Sequence, residues 1–295
     1  MNVLESHGLG KRYRRAWALR DCNLAVPAGH VVALVGPNGA GKTTLLHMAV
    51  GLTRASAGDI CVLDGLAPGS TAALGAIGFV AQDAPLYKNL PVADMLHLAR
   101  NLNPGWDDQR ASGRVADLGL PPRKKVGALS GGQQAQLALT IALAKRPRVL
   151  ILDEPLARLD PLARHEFMSS LMGAVAEDGL SVLFSSHVVS ELERVADYLI
   201  VLNSGQLQVS GEVDDLLATH KMLIGPREQA TEATAAFSPV RINQAGAQAQ
   251  VLCRPADRPV PAGFSVHAVS LEEVVLAYLR EPSAAALPGP AMVLR

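Results

Sequence analysis

Val31-Val32-Ala33-Leu34-Val35-Gly36-Pro37-Asn38-Gly39-Ala40-Gly41-Lys42-Thr43 is the stretch that decides the fold of this chain. Five uninterrupted apolar residues read as a short strand buried on both faces. Glycines at 36, 39 and 41 then allow a loop whose backbone N–H groups turn toward an anion. Lys42 adds a point charge, and the Thr43 hydroxyl is a ligand for Mg2+. A helical pattern from Lys42 to Val50 points its positive end at the same place. The run from Gly36 to Thr44, with Pro37, Asn38, Ala40 and Thr44 between the key residues, is therefore the expected binding segment for a nucleoside triphosphate.

Further along, Val149-Leu150-Ile151-Leu152 is a second buried strand, closed by Asp153-Glu154. Asp153 at the strand's carboxyl end brings a carboxylate toward the metal. Glu154, next in sequence, faces a different direction, toward the place an attacking water would occupy. A third strand ends in Ser185-Ser186-His187, and Gln82 follows a short strand, Ile77 to Val80. Taken alone, a loop glutamine reads as a surface residue and a histidine at a strand end as structural. Leu129-Ser130-Gly131-Gly132-Gln133 opens a helix that runs on to Ala144. Ser130 and the amides of Gly131 and Gly132 suit a γ-phosphate at that helix's N-terminus.

In this order the motifs resemble the ATP-binding cassette (ABC) family, in particular the separate ATPase subunit of a membrane transporter. The resemblance covers roughly residues 3–217. It implies that two such domains close face to face around ATP, each lending Ser130, Gly131, Gly132 and Gln133 to the other's nucleotide. Glu154 is then the general base, His187 contacts the γ-phosphate, and Gln82 contacts Mg2+ or water. Asp160, in Leu159-Asp160, lies in the loop crossing between the sites. Tyr13 matches the aromatic position that stacks on adenine, although it would equally pack against neighbouring strands. The implied catalytic set is Glu154, His187 and Gln82, the metal set Thr43, Gln82 and Asp153, and the cofactors ATP and Mg2+. The implied partners are a second ATPase subunit, identical or related, and a separate transmembrane permease. Four positions depart from the family's habit: Gln136 stands where a basic residue is usual, Thr140-Ile141 where an Arg-Ala pair is, and Arg158 is bulkier than the common residue.

The expected fold is α/β, a P-loop NTPase core with a mainly parallel sheet and N-terminal antiparallel strands. A helical subdomain of about 86–146 is inserted, with helices at Val92 to Arg100, Asp107 to Leu118 and Gly132 to Ala144. The ATPase domain spans 1–220. A small α+β extension at 221–281 follows, and 282–295 reads as a disordered tail. Within the extension, 226–262 shows little periodicity, whereas Ser270 to Arg280 reads as a helix with Ser270 as N-cap and Glu273 closing a capping box.

Composition narrows the function classes. Among 295 residues, Lys+Arg and Asp+Glu each number 27, so no global basic field is available for nucleic acid. Two local basic runs, Lys11-Arg12-Tyr13-Arg14-Arg15 and Arg123-Lys124-Lys125, read as solvated faces. The three cysteines, Cys22, Cys61 and Cys253, have no paired spacing, which fits a reduced cytosolic compartment. No apolar run reaches the roughly 18–20 residues needed to span a bilayer, so a partner would supply the spans and hold this chain on the inner face of the membrane. Ser270-Leu271-Glu272-Glu273-Val274-Val275 resembles a terminal motif of ABC-2-type exporter subunits, and Asn103-Pro104-Gly105-Trp106-Asp107 a segment in a bacterial subgroup of them. Both cues favour export over import. The rival class is a soluble ABC ATPase acting in DNA repair or on ribosomes; its zinc cysteines, coiled coils or second cassette are absent here. A GTPase would show an Asn-Lys-x-Asp guanine reader, and none is present.

Overall fold

The computed structural model describes residues 1–189, 192–234, 237–254 and 259–281. The expectation for 282–295 lies outside the described residues. In chain order the strands are β1 (Asn2–Tyr13), β2 (Ala16–Pro27), β3 (Val31–Val35), β4 (Ala57–Val62), β5 (Ile77–Val80), β6 (Val149–Leu152), β7 (Ser181–Ser186), β8 (Tyr198–Asn203), β9 (Gln206–Glu212), β10 (Lys221–Pro226), β11 (Pro239–Ala245), β12 (Gln248–Cys253) and β13 (Ser265–His267). The helices are α1 (Lys42–Ala49), α2 (Thr71–Ala76), α3 (Val92–Leu102), α4 (Asp108–Asp117), α5 (Gly131–Ala144), α6 (Pro161–Asp178), α7 (Val213–Thr219), α8 (Ala230–Thr234) and α9 (Leu271–Arg280).

The central sheet has the order β5-β6-β7-β3-β8-β9. Its first five strands are parallel and β9 closes one edge antiparallel. Every residue of β3 and β6 is buried, as their unbroken apolar sequences require. The two-residue side-chain period divides them between two cores. Val31, Ala33, Val35, Leu150 and Leu152 face one layer with α5, α6 and α9. Val32, Leu34, Val149 and Ile151 face the other, with α1 and the antiparallel sheet β2-β1-β4. Because β5, β6, β7 and β3 run parallel, the four loops carrying Gln82, Asp153-Glu154, His187 and Gly36–Thr43 leave the same edge of the sheet. Ligands in open α/β sheets bind at that edge.

Helices α3, α4 and α5 lie between β5 and β6, around a core of Val92, Met95, Val115, Leu120, Val126, Leu129 and Leu137. Asp107 caps α4 by accepting from the Arg110 amide at 2.9 Å, and Arg146 grips the same carboxylate at 2.8 Å. Together with burial-opposing backbone hydrogen bonds, led by the one from Arg110, these contacts hold the Asp107 carboxyl below its usual range.

The C-terminal segment is the expected small α+β extension, with more strand in it than its sequence pattern offered. Where 226–262 shows little periodicity, the structure forms β11 and β12, which join β10 and β13 in an antiparallel sheet of order β11-β12-β10-β13. Gln248 and Gln250 point outward while Ala249 and Val251 are buried, so the alternation exists but its inward positions include small or weakly apolar residues. One face covers a local core of Leu223, Ala230, Phe237, Ala249, Val251 and Cys253. Val240, Leu252, Val274, Val275 and Tyr278 instead join the main core beside β8. Helix α9 has the capping box read from sequence: Ser270 Oγ accepts from the Glu273 amide at 3.2 Å, and Glu273 Oε2 accepts from the Ser270 amide at 2.8 Å.

Candidate active site

The loop leaving β3 is held by contacts that only glycine permits. A Cβ on Gly36 would stand 2.3 Å from the Leu202 carbonyl oxygen on β8. Gly41, the N-cap of α1, has φ 104°, and a Cβ there would meet the Ala18 carbonyl oxygen of β2 at 2.6 Å. Inside the loop, Lys42 is 5% exposed, and its Nζ donates to the Gly36 carbonyl at 2.7 Å and to Pro37 at 3.3 Å. The same ammonium pairs with Glu154 Oε1 at 3.1 Å. Pro37, Asn38 and Gly39 are exposed; Ala40 is buried, and Thr43 and Thr44 are half-buried at the start of α1.

The acids stand on the adjacent strand ends. Asp153, 1% exposed, accepts from Ser185 Oγ at 2.7 Å, while that oxygen accepts from the Glu154 amide at 2.8 Å. Ser185 thus fixes both acidic residues from the next strand. The sequence offered only its place in Ser185-Ser186-His187 as a signal. Glu154 adopts φ +48°, an uncommon conformation for a non-glycine residue, which turns its side chain away from that of Asp153. Its second oxygen, Oε2, lies 2.6 Å from His187 Nδ1. A carboxylate can only accept, so Nδ1 carries the proton. Lys42, Glu154 and His187 therefore form one continuous polar line across β3, β6 and β7.

The remaining expected site residues divide. Gln82 is exposed and forms no hydrogen bond among the described residues, yet its loop runs beside the acids, since the Asp153 amide donates to the Val80 carbonyl at 2.9 Å. Its neighbour Asp83 pairs with Arg158 at 2.9 Å. Tyr13 is 48% exposed at the tip of the β1–β2 hairpin, with Lys11 Nζ 5.2 Å from its ring centre. Ser130, Gly131, Gly132 and Gln133 stand apart at the N-terminus of α5. Ser130 caps that helix, accepting from the Gln133 amide at 3.2 Å, and the Gln133 side chain accepts from the Ser130 amide at 3.1 Å. Gly132 packs so near α6 that a Cβ would stand 2.8 Å from the Ala163 Cβ. Asp160 caps α6 by accepting from the Ala163 amide at 3.0 Å, and it lines an open cavity with Ser130, Gly132, Gln133 and Gln136. No hydrogen bond or ion pair among the described residues joins this group to Lys42, Asp153, Glu154 or His187. Gln136, one of the departures noted above, is 5% exposed, and both polar atoms of its side chain are buried without a partner.

Comparison with known proteins agrees with this arrangement. A family model described as "ABC transporter" matches residues 19–157. The lipopolysaccharide export system ATP-binding protein LptB of Haemophilus influenzae is 31% identical over 227 residues, which cover 74% of this chain and 93% of the relative. The sulfate/thiosulfate import ATP-binding protein CysA 2 of Chromobacterium violaceum is 36% identical, covering 70% of this chain and 58% of the relative. Among solved structures, the dimeric form of MJ0796, a bacterial ABC transporter cassette, superposes with a TM-score of 0.63 at 25% identity, covering 71% of this chain and 98% of that one. A strand-end line of Lys42, Glu154 and His187, a capped Leu-Ser-Gly-Gly-Gln helix set apart from it, and these relatives lead to one assignment: the chain belongs to the ABC transporter family, as an ATP-binding and ATP-hydrolysing subunit.

Proposed function

We propose that two ATPase domains of this kind close around two ATP molecules and drive a separate membrane-spanning permease. The observation that carries this reading is the separation of the two half-sites within one chain. One half offers Lys42, Glu154 and His187 at the sheet edge; the other offers the exposed N-terminus of α5. A triphosphate held on the first half presents its γ-phosphate outward, where the Ser130–Gly132 turn of a facing copy supplies a second anion site. Each γ-phosphate then favours only the closed state, so hydrolysis reopens the pair.

The roles follow from the contacts. Lys42, freed from Glu154 by an arriving phosphate, turns to the phosphate oxygens. Glu154 is then available to take the proton of the attacking water, with His187 holding one carboxylate oxygen. The oxygen donors of Thr43 and Asp153, with Gln82 nearby, suit a hard cation. No group of three or more His, Cys, Asp or Glu among the described residues would hold a metal unaided, which fits Mg2+ bound jointly with phosphate. When bound, that ion neutralises charge on the transferred phosphoryl group.

A permease docking surface is available beside Gln82. An apolar groove between the sheet and the inserted helices is lined by His47, Leu52, Leu74, Phe79, Ile141 and Lys145. No helix among the described residues is long and apolar enough to cross a membrane, so membrane attachment would come from the partner occupying this groove. Export is the direction supported by the two short sequence cues. Glu154→Gln tests the core of the reading. The variant should bind ATP, hydrolyse it roughly 10²–10⁴-fold more slowly, and run as a dimer on a sizing column with ATP. A variant that stays monomeric at saturating ATP would rule out the composite site.

A further inference from the structure

The β1–β2 hairpin ends in Lys11-Arg12-Tyr13-Arg14-Arg15-Ala16-Trp17, four cations and two aromatics in seven residues of a chain with zero formal net charge. Arg12, Arg14 and Arg15 are exposed and form no ion pair among the described residues. Lys11 Nζ donates to the Arg54 carbonyl at 2.7 Å, which brings the Arg54 segment, a cation without an ion pair among the described residues, to the same end. Tyr13 and Trp17 are 48% and 43% exposed. Lys11 lies over the Tyr13 ring, and the Arg12 guanidinium lies 5.7 Å from the centre of the Trp17 ring. Arg14 sits at φ +54°, the left-handed conformation of a tight hairpin turn, in place of the usual Gly or Asn. Like charges gathered at a tip repel one another, and for Arg14 and Arg15 no ion pair among the described residues offsets this.

Its attachment suggests another role. Immediately after Trp17, the Ala18 carbonyl and Leu19 press against Gly41, the residue that starts α1. The Gly205 turn completes the clamp: its amide donates to the Ala40 carbonyl at 3.2 Å, and its carbonyl accepts from the Arg20 amide at 2.8 Å. Arg15 stands three residues before Ala18, at most about 10 Å of extended chain, a span comparable with the Debye length at ordinary salt.

We infer that this hairpin tip is an electrostatic collar for the nucleotide, in which Arg14 and Arg15 draw in the polyphosphate that Lys42 and the loop then hold. The inference rests on the ATPase reading and adds residues to it. A collar acts through charge at a distance, so its effect grows with the charge of the ligand and fades with salt. A membrane or nucleic-acid surface would also meet such a patch, but its rigid connection to the loop favours the nucleotide.

Titration calorimetry of the full chain with ATP, ADP and AMP, at about 25 mM and about 500 mM salt, reads this directly. The probe is the double variant Arg14→Ser/Arg15→Ser. A variant of equal charge change elsewhere, Lys124→Ser/Lys125→Ser, serves as reference. The probe should lose about 3–10-fold in ATP affinity at low salt and less than about twofold at high salt, with the loss shrinking from ATP to ADP to AMP. Arg14→Lys/Arg15→Lys should restore binding. Equal losses in probe and reference, or a loss indifferent to salt and nucleotide charge, would overturn the collar. So would unchanged ATP affinity together with lost binding to vesicles of anionic lipid. A wild-type chain that takes up no ATP would instead overturn the ATPase reading beneath it.

Discussion

Glu154 is the residue on which most of the site's geometry converges. Its backbone is held in the left-handed region by the Ser185 hydroxyl, and its two carboxylate oxygens are divided between Lys42 and His187. The arrangement is a resting one, because the ammonium that should meet phosphate is occupied by the base that should meet water. Gln136 is the opposite case, a polar side chain with no hydrogen-bond partner among the described residues. An unsatisfied buried amide costs about 1–3 kcal/mol. Gln136→Met, similar in shape and apolar, should therefore raise stability by about 1–3 kcal/mol, or roughly 2–6 °C in melting temperature by calorimetry. A lowered melting temperature would mean that the amide has a bound partner. The amide's isolation was not legible in the sequence, where Gln136 registers only as a departure from a basic residue. Whether a side chain finds a partner depends on what α4 and α6 bring to it.

Among the elements, the strand–loop–helix of β3 and α1 shows how neighbouring segments constrain a motif. The pattern G-x-x-x-x-G-K-[ST] demands Gly36 and Gly41 and leaves position 39 open; in sequence Gly36 and Gly39 both read as flexible loop glycines, but the structure separates them. A Cβ at Gly36 meets backbone of β8 at 2.3 Å, whereas at Gly39 nothing lies within 4 Å and only φ +80° stands against substitution. Gly36→Ala should therefore lower ATP affinity by at least about tenfold and cost roughly 2 kcal/mol or more of stability, because the end of β3 must move off β8. Gly39→Ala should cost about 1 kcal/mol. Calorimetric titration and thermal melting compare the two, and equal effects would refute the backbone clash. The same contrast explains which elements could be read in advance. The strands β3 and β6 and the helices α5 and α9 carry their own signals: unbroken apolar runs, a glycine-rich cap, a Ser-x-x-Glu box. Strands β11 and β12 carry weak ones, since their inward positions hold Ala, Cys and Ile among glutamines, and pairing with β10 supplies what local preference does not.

At the scale of the whole molecule, a buried polar cluster fastens the C-terminal segment to the core. The His220 ring meets the Leu216 carbonyl at 2.7 Å and the Tyr278 hydroxyl at 2.9 Å, and Arg254 on the segment following β12 donates to the same hydroxyl. Three segments, after α7, after β12 and in α9, meet there. The end of α9 is also tied to the sheet edge by the Asn203 amide, which donates to the Leu279 carbonyl at 2.7 Å. Burial, aided by the Arg254 charge and opposed by the Leu216 carbonyl, pulls the His220 pKa down from 6.5 to about 4. The folded protein therefore binds fewer protons here than the unfolded chain between those values. Its stability is fully present above pH 6.5 and falls as pH drops toward 4. Denaturant melts should show a loss of about 2 kcal/mol between pH 7 and pH 5, and His220→Gln should remove most of that slope. An unchanged slope in the variant would assign the loss to other groups.

The sequence by itself determined the chemistry of this protein and the order of its parts. Oxygen ligands, a lysine, an acid pair and glycine-rich turns have few physical uses other than phosphate chemistry, and each motif acts through its own backbone. Only the tertiary structure decided which of them meet. Parallel pairing of β6, β7 and β3 aligns Lys42, Glu154 and His187, packing of α5 against α6 groups Ser130 with Asp160 instead, and the contact at Gly41 ties the strand that follows Arg14 and Arg15 to the start of α1. Such distances between residues far apart in the chain come from the packing of whole layers, and no local pattern specifies them.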